Sequence, residues 1–420
     1  MAFAMKLAQK KAELSECPPA SEEAKLTLGA ASEPPIRSVK IGGACPLEIG
    51  NETVMFRHEK TFFHQTGIAI ELRTSGEEEK LLSRIKEIEN YMVDRVGEEL
   101  KTDLFLICHD STEKDNFVRT INLVKQNSDK GIILDCSDKG ALKEGVEILK
   151  DDRPAVLLRK ILSDEDIELA KANGVSLILT APSLEDLATQ AEKARNSGLS
   201  NIILNLESQN AGFQLQNNTI MRRSALKNNF KPFGYPLFTS IHSEKEFDLL
   251  ATASLLICKY DSIIALPFYN KALLYTLFTL RQNIYTDPQS PIQVDPKVYP
   301  IGEPTPESPV FVTTNFSQTY FMVSGEIENS GISAHLVIAD TEGQSVLTAW
   351  AAGRFVGEKI AKFIKDIRLE EQVKTRKIVI PGHAAQISGD LEEHLPGWDV
   401  IVGPQEASDI PSFVKNVKLT

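Results

Sequence analysis

Short runs of apolar, β-branched residues alternate along most of this chain with longer, charged segments whose apolar positions recur every three to four residues. That alternation is the pattern of βα units wound around a parallel sheet, because a strand buried on both faces reads as a continuous apolar run and the helix covering it as an amphipathic one. Strands are predicted over 67–72, 104–109, 131–135, 155–158, 175–179, 201–206, 235–239 and 261–266. Helices follow over 77–90, 114–126, 163–173, 183–196, 244–256 and 269–281. Eight such units in about 215 residues match a (β/α)8 barrel in number and length; an open doubly wound sheet is the competing arrangement.

Two stretches interrupt the pattern. The first runs from Cys17-Pro18-Pro19 through Pro34-Pro35 to Pro46 and separates an N-terminal helix from the rest of the chain. The second, 287–309, is so rich in proline that neither a helix nor a central strand fits, since proline lacks the N–H that both require. It reads as an extended linker. Beyond it the alternation resumes on a smaller scale, with strands over 310–313, 335–339, 377–380 and 398–402 and helices over 356–367 and 406–415. The predicted organisation is a small N-terminal part (1–40), a barrel (41–285), a proline-rich linker (286–309) and a C-terminal Rossmann-like open α/β domain (310–420).

Composition narrows the class. The 420 residues include 58 acidic against 46 Lys and Arg, a net charge of −12, which disfavours a nucleic-acid partner. No apolar run is long enough to span a membrane, and the N-terminus lacks the order of a secretory signal, so a cytoplasmic location is expected. The five cysteines, Cys17, Cys45, Cys108, Cys136 and Cys258, show no C-x-x-C pair. All but Cys17 read as buried small residues.

Chemistry-bearing motifs are sparse. Neither a G-x-G-x-x-G after a strand nor a G-x-x-x-x-G-K-[ST] loop occurs. Predicted barrel strand ends carry His109, Asp110, Asp135, Asn205, Glu207, Thr239 and His242, at the rim where barrel enzymes keep their catalytic groups. His58 and His64, six apart, do not share a helix face. In the C-terminal domain, strands lead into turns rich in glycine and hydroxyls, Thr341-Glu342-Gly343, Pro381-Gly382 and Gly403-Pro404, and ligands of open α/β sheets bind at such strand ends. Such residues serve equally as helix caps.

Several segments together are more specific. Ala2-Phe3-Ala4-Met5-Lys6-Leu7 followed by Cys17-Pro18, Glu52-Thr53-Val54-Met55-Phe56-Arg57-His58-Glu59-Lys60 and Arg281-Gln282-Asn283-Ile284-Tyr285-Thr286-Asp287-Pro288-Gln289 form one group. Val312-Thr313-Thr314-Asn315-Phe316-Ser317, Gly325-Glu326-Ile327-Glu328, Asp340-Thr341 with Gly343 and Ser345-Val346-Leu347-Thr348-Ala349, and Val402-Gly403-Pro404 with Glu406-Ala407-Ser408 form another. Over essentially its whole length the chain resembles the large (gamma) subunit of the corrinoid iron–sulfur protein of the reductive acetyl-CoA pathway.

The resemblance implies an iron–sulfur module, a (β/α)8 barrel and a C-terminal domain holding a base-off cobalamin. It implies a methyl carrier that takes a methyl group from methyltetrahydrofolate through a separate methyltransferase, onto cobalt(I), and delivers it to acetyl-CoA synthase. The protein would work as a heterodimer with a small subunit, a carrier as much as an enzyme. The alternative is a folate- or pterin-binding barrel methyltransferase with Asp135 and Asn205 on the pterin. A D-x-H-x-x-G motif, which places a histidine beneath cobalt in other corrinoid proteins, is missing, and cobalt without that donor is easier to reduce. The corrinoid ligands implied are Thr314, Asn315, Tyr320, Ser345, Val346, Leu347, Thr348, Gly403 and Ala407. Cys17 corresponds to the fourth ligand of a 4Fe-4S cluster whose other three cysteines would precede Met1, so the chain as written is not expected to assemble it.

Overall fold

The computed structural model describes residues 34–419 apart from 112, 208–209, 244 and 288–290. The N-terminal helix, Cys17 and most of the first predicted segment therefore lie outside the described residues. The chain divides into two compact units, one holding the residues up to Val93 together with Leu100–Tyr285, the other Asp94–Glu99 together with the residues from Thr286 onward.

The first unit is a (β/α)8 barrel. Its strands are β1 (Gly67–Arg73), β2 (Leu104–Cys108), β3 (Gly131–Asp135), β4 (Ala155–Leu158), β5 (Ser176–Ala181), β6 (Ile202–Leu206), β7 (Phe238–Ser240) and β8 (Ile263–Leu266). The covering helices are α1 (Glu78–Glu89), α2 (Lys114–Asn127), α3 (Lys139–Ile148), α4 (Asp164–Asn173), α5 (Leu184–Asn196), α6 (Ala211–Asn228), α7 (Glu246–Cys258) and α8 (Lys271–Tyr285). All pairings are parallel and join neighbours in the chain, with β8 beside β1. The last gap closes where the Leu204 N–H donates to the Pro236 carbonyl at 2.9 Å. Pro236 has no N–H for a ladder bond of its own, and β7 begins at Phe238 rather than at Tyr235 as the apolar run suggests.

Alternation along each strand sorts the core into two layers. Leu104 and Leu106 of β2 point into the barrel with Ile133, Leu157, Ile178, Ile203 and Phe238. Phe105 and Ile107 point outward against the helices with Phe117 and Ile121 of α2. A hairpin of Val39–Ile41 and Leu47–Ile49 adds Val39, Ile41 and Ile49 to the inner layer. A Cβ on Gly67 would stand 2.5 Å from Leu47 Cδ2, and one on Gly131 would stand 3.0 Å from the Ile41 carbonyl oxygen, so glycine at these strand starts makes room for the hairpin. Helix entries follow their caps: Ser163 and Asp166 form a reciprocal capping box on α4, and Asp138, Ser183 and Asn210 cap α3, α5 and α6.

The second unit is a five-stranded sheet with β9 (Val298–Ile301), β10 (Val310–Thr314), β11 (Ala334–Ala339), β12 (Lys377–Ile380) and β13 (Asp399–Val402) in the order β9-β11-β10-β12-β13. Its helices include α9 (Ser317–Asn329), α10 (Val346–Ala351), α11 (Gly357–Asp366), α12 (Leu369–Gln372), α13 (Ser388–His394) and α14 (Ile410–Asn416). β9 runs antiparallel to β11 at the sheet edge, with Pro300 opposite His335. The proline-rich stretch is thus not linker throughout. Proline is tolerated on an edge strand, which has a side free of ladder bonds. Just before it, the Val294 N–H donates to the Asn315 carbonyl and the Ser317 N–H to that of Ile292.

Candidate functional site

The four parallel strands β10 to β13, in order of appearance, lie in the spatial order 2-1-3-4. The winding reverses between β10 and β12, and open α/β sheets bind ligands at such a switch point, outside the carboxyl ends of the strands. Register explains how the crevice opens. β10 stays paired with β11 as far as Thr314 and Ala339, but with β12 only at Val310 with Ile378 and Phe311 with Val379. Past Phe311 the two strands part.

A pocket of about 230 Å³ fills that gap. Val312 and Thr313 line one side, Ile380, Pro381 and His383 the other, Thr319, Met322 and Val323 of α9 cover it, and Ser345, Val346, Leu347, Glu406 and Ala407 complete its rim. The lining is mainly apolar, with one polar atom out of place. Thr313 is 1% exposed and its Oγ1 has no hydrogen-bond partner among the described residues. A buried hydroxyl without a partner costs about 1–3 kcal/mol, and a ligand acceptor in the pocket would relieve it.

The loops around the pocket are tightly held. Gly382 donates to the Pro404 carbonyl and Gly403 to the Ile380 carbonyl, both at 2.9 Å, tying the turns after β12 and β13 together. A Cβ on Gly382 would lie 2.6 Å from the Gly403 carbonyl oxygen and 2.7 Å from the Pro404 carbonyl carbon. On the other flank, fully buried Asn315 is the keystone. Its Oδ1 accepts from the Thr341 N–H (3.0 Å), the Thr341 hydroxyl (2.8 Å) and the Gly343 N–H (2.9 Å), while its Nδ2 donates to Gln293 Oε1 and Asp340 Oδ1. Glu342 and Gly343 take left-handed backbone in this turn, and the chain leaves it at Ser345, directly before α10.

The residues expected at the corrinoid thus fall into three groups. Ser345, Val346, Leu347 and Ala407 line the pocket. Thr348 meets the Ser345 hydroxyl at 3.1 Å, and Gly403 closes the turn behind the wall. Thr314 and Asn315 are buried outside the lining, and Tyr320 packs its ring 4.8 Å from that of Tyr299. Thr313, His383 and Glu406 lie outside the expected set. Thr313 lines the pocket and its neighbour Thr314 does not, a distinction that the pocket's position along β10 makes and that the sequence does not signal.

The barrel rim is more self-contained. Asp135 accepts Arg159 through both carboxylate oxygens at 2.7–3.0 Å, Asn205 donates to Thr180 at 3.0 Å, and Asp110 accepts from the Ser75 N–H and hydroxyl. His109 Nδ1 lies 3.2 Å from the Thr74 hydroxyl. These contacts leave Asp135 and Asn205 engaged with neighbours rather than poised for a pterin. His64 bonds the Gly50 carbonyl and His58 stacks on Phe56, and no group of His, Cys, Asp and Glu among the described residues suits a metal ion.

The cysteines correct an expectation: Cys45 is exposed and Cys108, Cys136 and Cys258 are half-buried. Cys45 follows the strand Val39–Ile41 in the short connection of the hairpin, and Cys108 ends β2 near the carboxylate of Asp135. Burial pushes the Cys136 thiol up to about 11 and raises that of Cys108, so both stay protonated at neutral pH. No helix among the described residues is long and apolar enough to cross a membrane.

The family model for the CO dehydrogenase/acetyl-CoA synthase delta subunit matches residues 38–414. The corrinoid/iron-sulfur protein large subunit of Moorella thermoacetica is 38% identical over 99% of this chain and 93% of its own. The acetyl-CoA decarbonylase/synthase complex gamma subunits of Methanopyrus kandleri and Methanocaldococcus jannaschii are each 30% identical over 99% of this chain, and over 92% and 91% of theirs. The match runs through both units, barrel and switch-point domain alike, and the chain belongs to the CO dehydrogenase/acetyl-CoA synthase delta-subunit family, together with these large and gamma subunits.

Proposed function

We propose that this chain is the corrinoid-binding subunit of a methyl carrier, taking a methyl group from methyltetrahydrofolate through a separate methyltransferase and handing it to acetyl-CoA synthase. The observation that carries the reading is the switch-point pocket with its unpartnered Thr313 hydroxyl, in a chain whose relative is named a corrinoid/iron-sulfur protein. The pocket and its rim would together hold the cofactor.

When bound, the corrinoid supplies a cobalt centre that accepts and releases the methyl group, so the protein needs no acid–base pair of its own. The residues here bind and orient. Thr313 offers a hydrogen bond in the depth of the pocket, and Ser345, Val346, Leu347, Thr348, Gly403 and Ala407 form the surface against which the cofactor lies. Asn315, with Thr314 and Tyr320 behind that surface, fixes the loop that carries Ser345. The small subunit of the same carrier is the heterodimer partner, and the cytoplasm is the compartment. Cys17 is assigned to a 4Fe-4S cluster, with the remaining ligands not among the cysteines of this chain.

The test is anaerobic incubation of the chain and its small subunit with cobalamin, followed by desalting, a cobalt assay and an absorption spectrum. About one cobalt per chain with a base-off spectrum is expected. No retained cobalt refutes the reading. An iron assay of the same sample tests the cluster.

A further inference from the structure

A second pocket, of about 200 Å³, opens at the carboxyl end of β7, within the barrel unit. Gln214 of α6, Thr239 and Ser240 of β7 and Asp248 and Thr252 of α7 line it, with His242 at the side. Its floor is built of polar side chains that the fold has sealed off. Gln214 is 2% exposed; its Nε2 donates to Asn218 Oδ1 at 3.0 Å and to the Thr239 hydroxyl at 3.2 Å, which fixes the orientation of the amide. Thr239 in turn donates to the buried carboxyl of Asp261 at 3.3 Å. Within the lining, Gln214 Oε1 and Ser240 Oγ are buried with no partner among the described residues; outside it, so is Asp261 Oδ2.

An α-helix that buries Gln214, Asn217, Asn218 and Arg222 gives up much of the apolar contact that ordinarily fixes a barrel helix to its strands. The two donations of Gln214 Nε2 account for one end of the amide, but nothing within the protein accounts for burying its oxygen without a partner. The arrangement therefore points to a ligand, and the lining defines its chemistry. Gln214 Oε1 accepts only, Asp248 is anionic, and among the described residues no lysine, arginine, phenylalanine, tyrosine or tryptophan lines the pocket. An anion would face a carbonyl oxygen and a carboxylate with no lysine or arginine to offset them, and among the described residues the exposed imidazole of His242 is the one ring in the lining. A primary ammonium group has three N–H donors to set against the unpartnered Gln214 Oε1 and Ser240 Oγ and the exposed Asp248 carboxylate.

We infer that this pocket binds a small aliphatic primary amine, held through Gln214, Ser240 and Asp248 at the carboxyl end of β7. The inference concerns the barrel unit alone and stands or falls independently of corrinoid binding.

Ethanolamine is the probe, with glycolate as the anionic and ethylene glycol as the neutral molecule of matching size, each titrated against the full chain by saturation-transfer NMR and calorimetry at neutral pH. Saturable binding of ethanolamine is expected, at least tenfold tighter than either control. Asp248→Asn should weaken it at least tenfold and Gln214→Leu should abolish it. Because Gln214 also supports Thr239 and Asn218, Thr252→Met serves as the second variant: it narrows the pocket without removing a buried hydrogen bond, and it too should block binding. Equal binding of glycolate or ethylene glycol, no saturable binding of ethanolamine, or binding unchanged in both Asp248→Asn and Thr252→Met overturns the inference.

Discussion

The carboxamide oxygen of Asn315 takes both the backbone N–H and the hydroxyl of Thr341, 26 residues away in sequence, and so joins the end of β10 to the turn after β11. That turn delivers Ser345, Val346 and Leu347 to the switch-point pocket. One buried side chain thereby determines where half of the rim stands.

Replacing Asn315 tests this directly. Asn315→Ala strands the Thr341 and Gly343 N–H groups at a buried position, while the Thr341 hydroxyl keeps the Gln344 carbonyl at 3.2 Å, and at about 1–3 kcal/mol for each buried group left unpaired a loss of about 2–6 kcal/mol is expected by urea denaturation. Asn315→Asp keeps the three acceptances but sets a carboxylate against Gln293 Oε1 and Asp340, each 3.2 Å from Asn315 Nδ2. It too is expected to unfold at lower urea, and both variants should retain less cobalt.

Thr313 separates ligand binding from folding. Its hydroxyl has no partner among the described residues, so Thr313→Val, which keeps the shape, should leave the corrinoid-free chain as stable as before or stabler by up to about 1 kcal/mol. Retention of cobalamin should fall about tenfold. A large drop in the stability of the corrinoid-free variant would contradict this assignment.

Gly382 is a steric test of the pocket wall. A methyl group there meets one continuous stretch of backbone, at 2.6 Å from the Gly403 oxygen, 2.7 Å from the Pro404 carbonyl carbon and 2.8 Å from the Gln405 nitrogen, none of which can swing away as a side chain would. Gly382→Ala is expected to cost about 1–3 kcal/mol, the usual range for overpacking, and to prise the turns after β12 and β13 apart. Cobalamin retention should fall with it, whereas Gly389→Ala, whose added carbon meets nothing within 4 Å beyond its own helix backbone and chain neighbours, should leave retention unchanged and cost no stability.

Asp261 in the barrel predicts a dependence on pH. Burial raises its carboxyl from 3.8 to about 8, against the smaller opposing effects of Thr239, Arg222 and Asn218. Between these values the folded chain holds a proton that the unfolded chain releases, so the contribution of Asp261 to stability falls as the pH rises from about 4 to 8. Asp261→Asn removes that dependence. Compared by urea denaturation, the variant should be close to the parent near pH 5 and gain on it by pH 8.

Most of the fold was legible in the chain. The barrel strands follow from apolar runs and the helices from their periodicity and caps, because both signals depend on neighbours a few residues apart. The exceptions share a cause. The edge strand β9 hides in a proline-rich stretch, since only its place at the margin of the sheet makes Pro300 acceptable. The hairpin Val39–Ile41 with Leu47–Ile49 is too short to register as a pattern and takes its meaning from the barrel core it completes.

The site was divided in the same way. Sequence alone, through the turn residues after the C-terminal strands and the motifs shared with a known family, pointed to Thr314, Asn315 and Tyr320, to 345–348, and to Gly403 and Ala407. Tertiary structure decided what no local pattern carries: that β10 and β12 part after Phe311, that Thr313 rather than Thr314 faces the opening, and that Asn315 serves the loop. Propensity and periodicity are set over a few residues of chain, whereas a pocket and an unpartnered hydroxyl exist only once distant segments have been brought together and water has been excluded from between them.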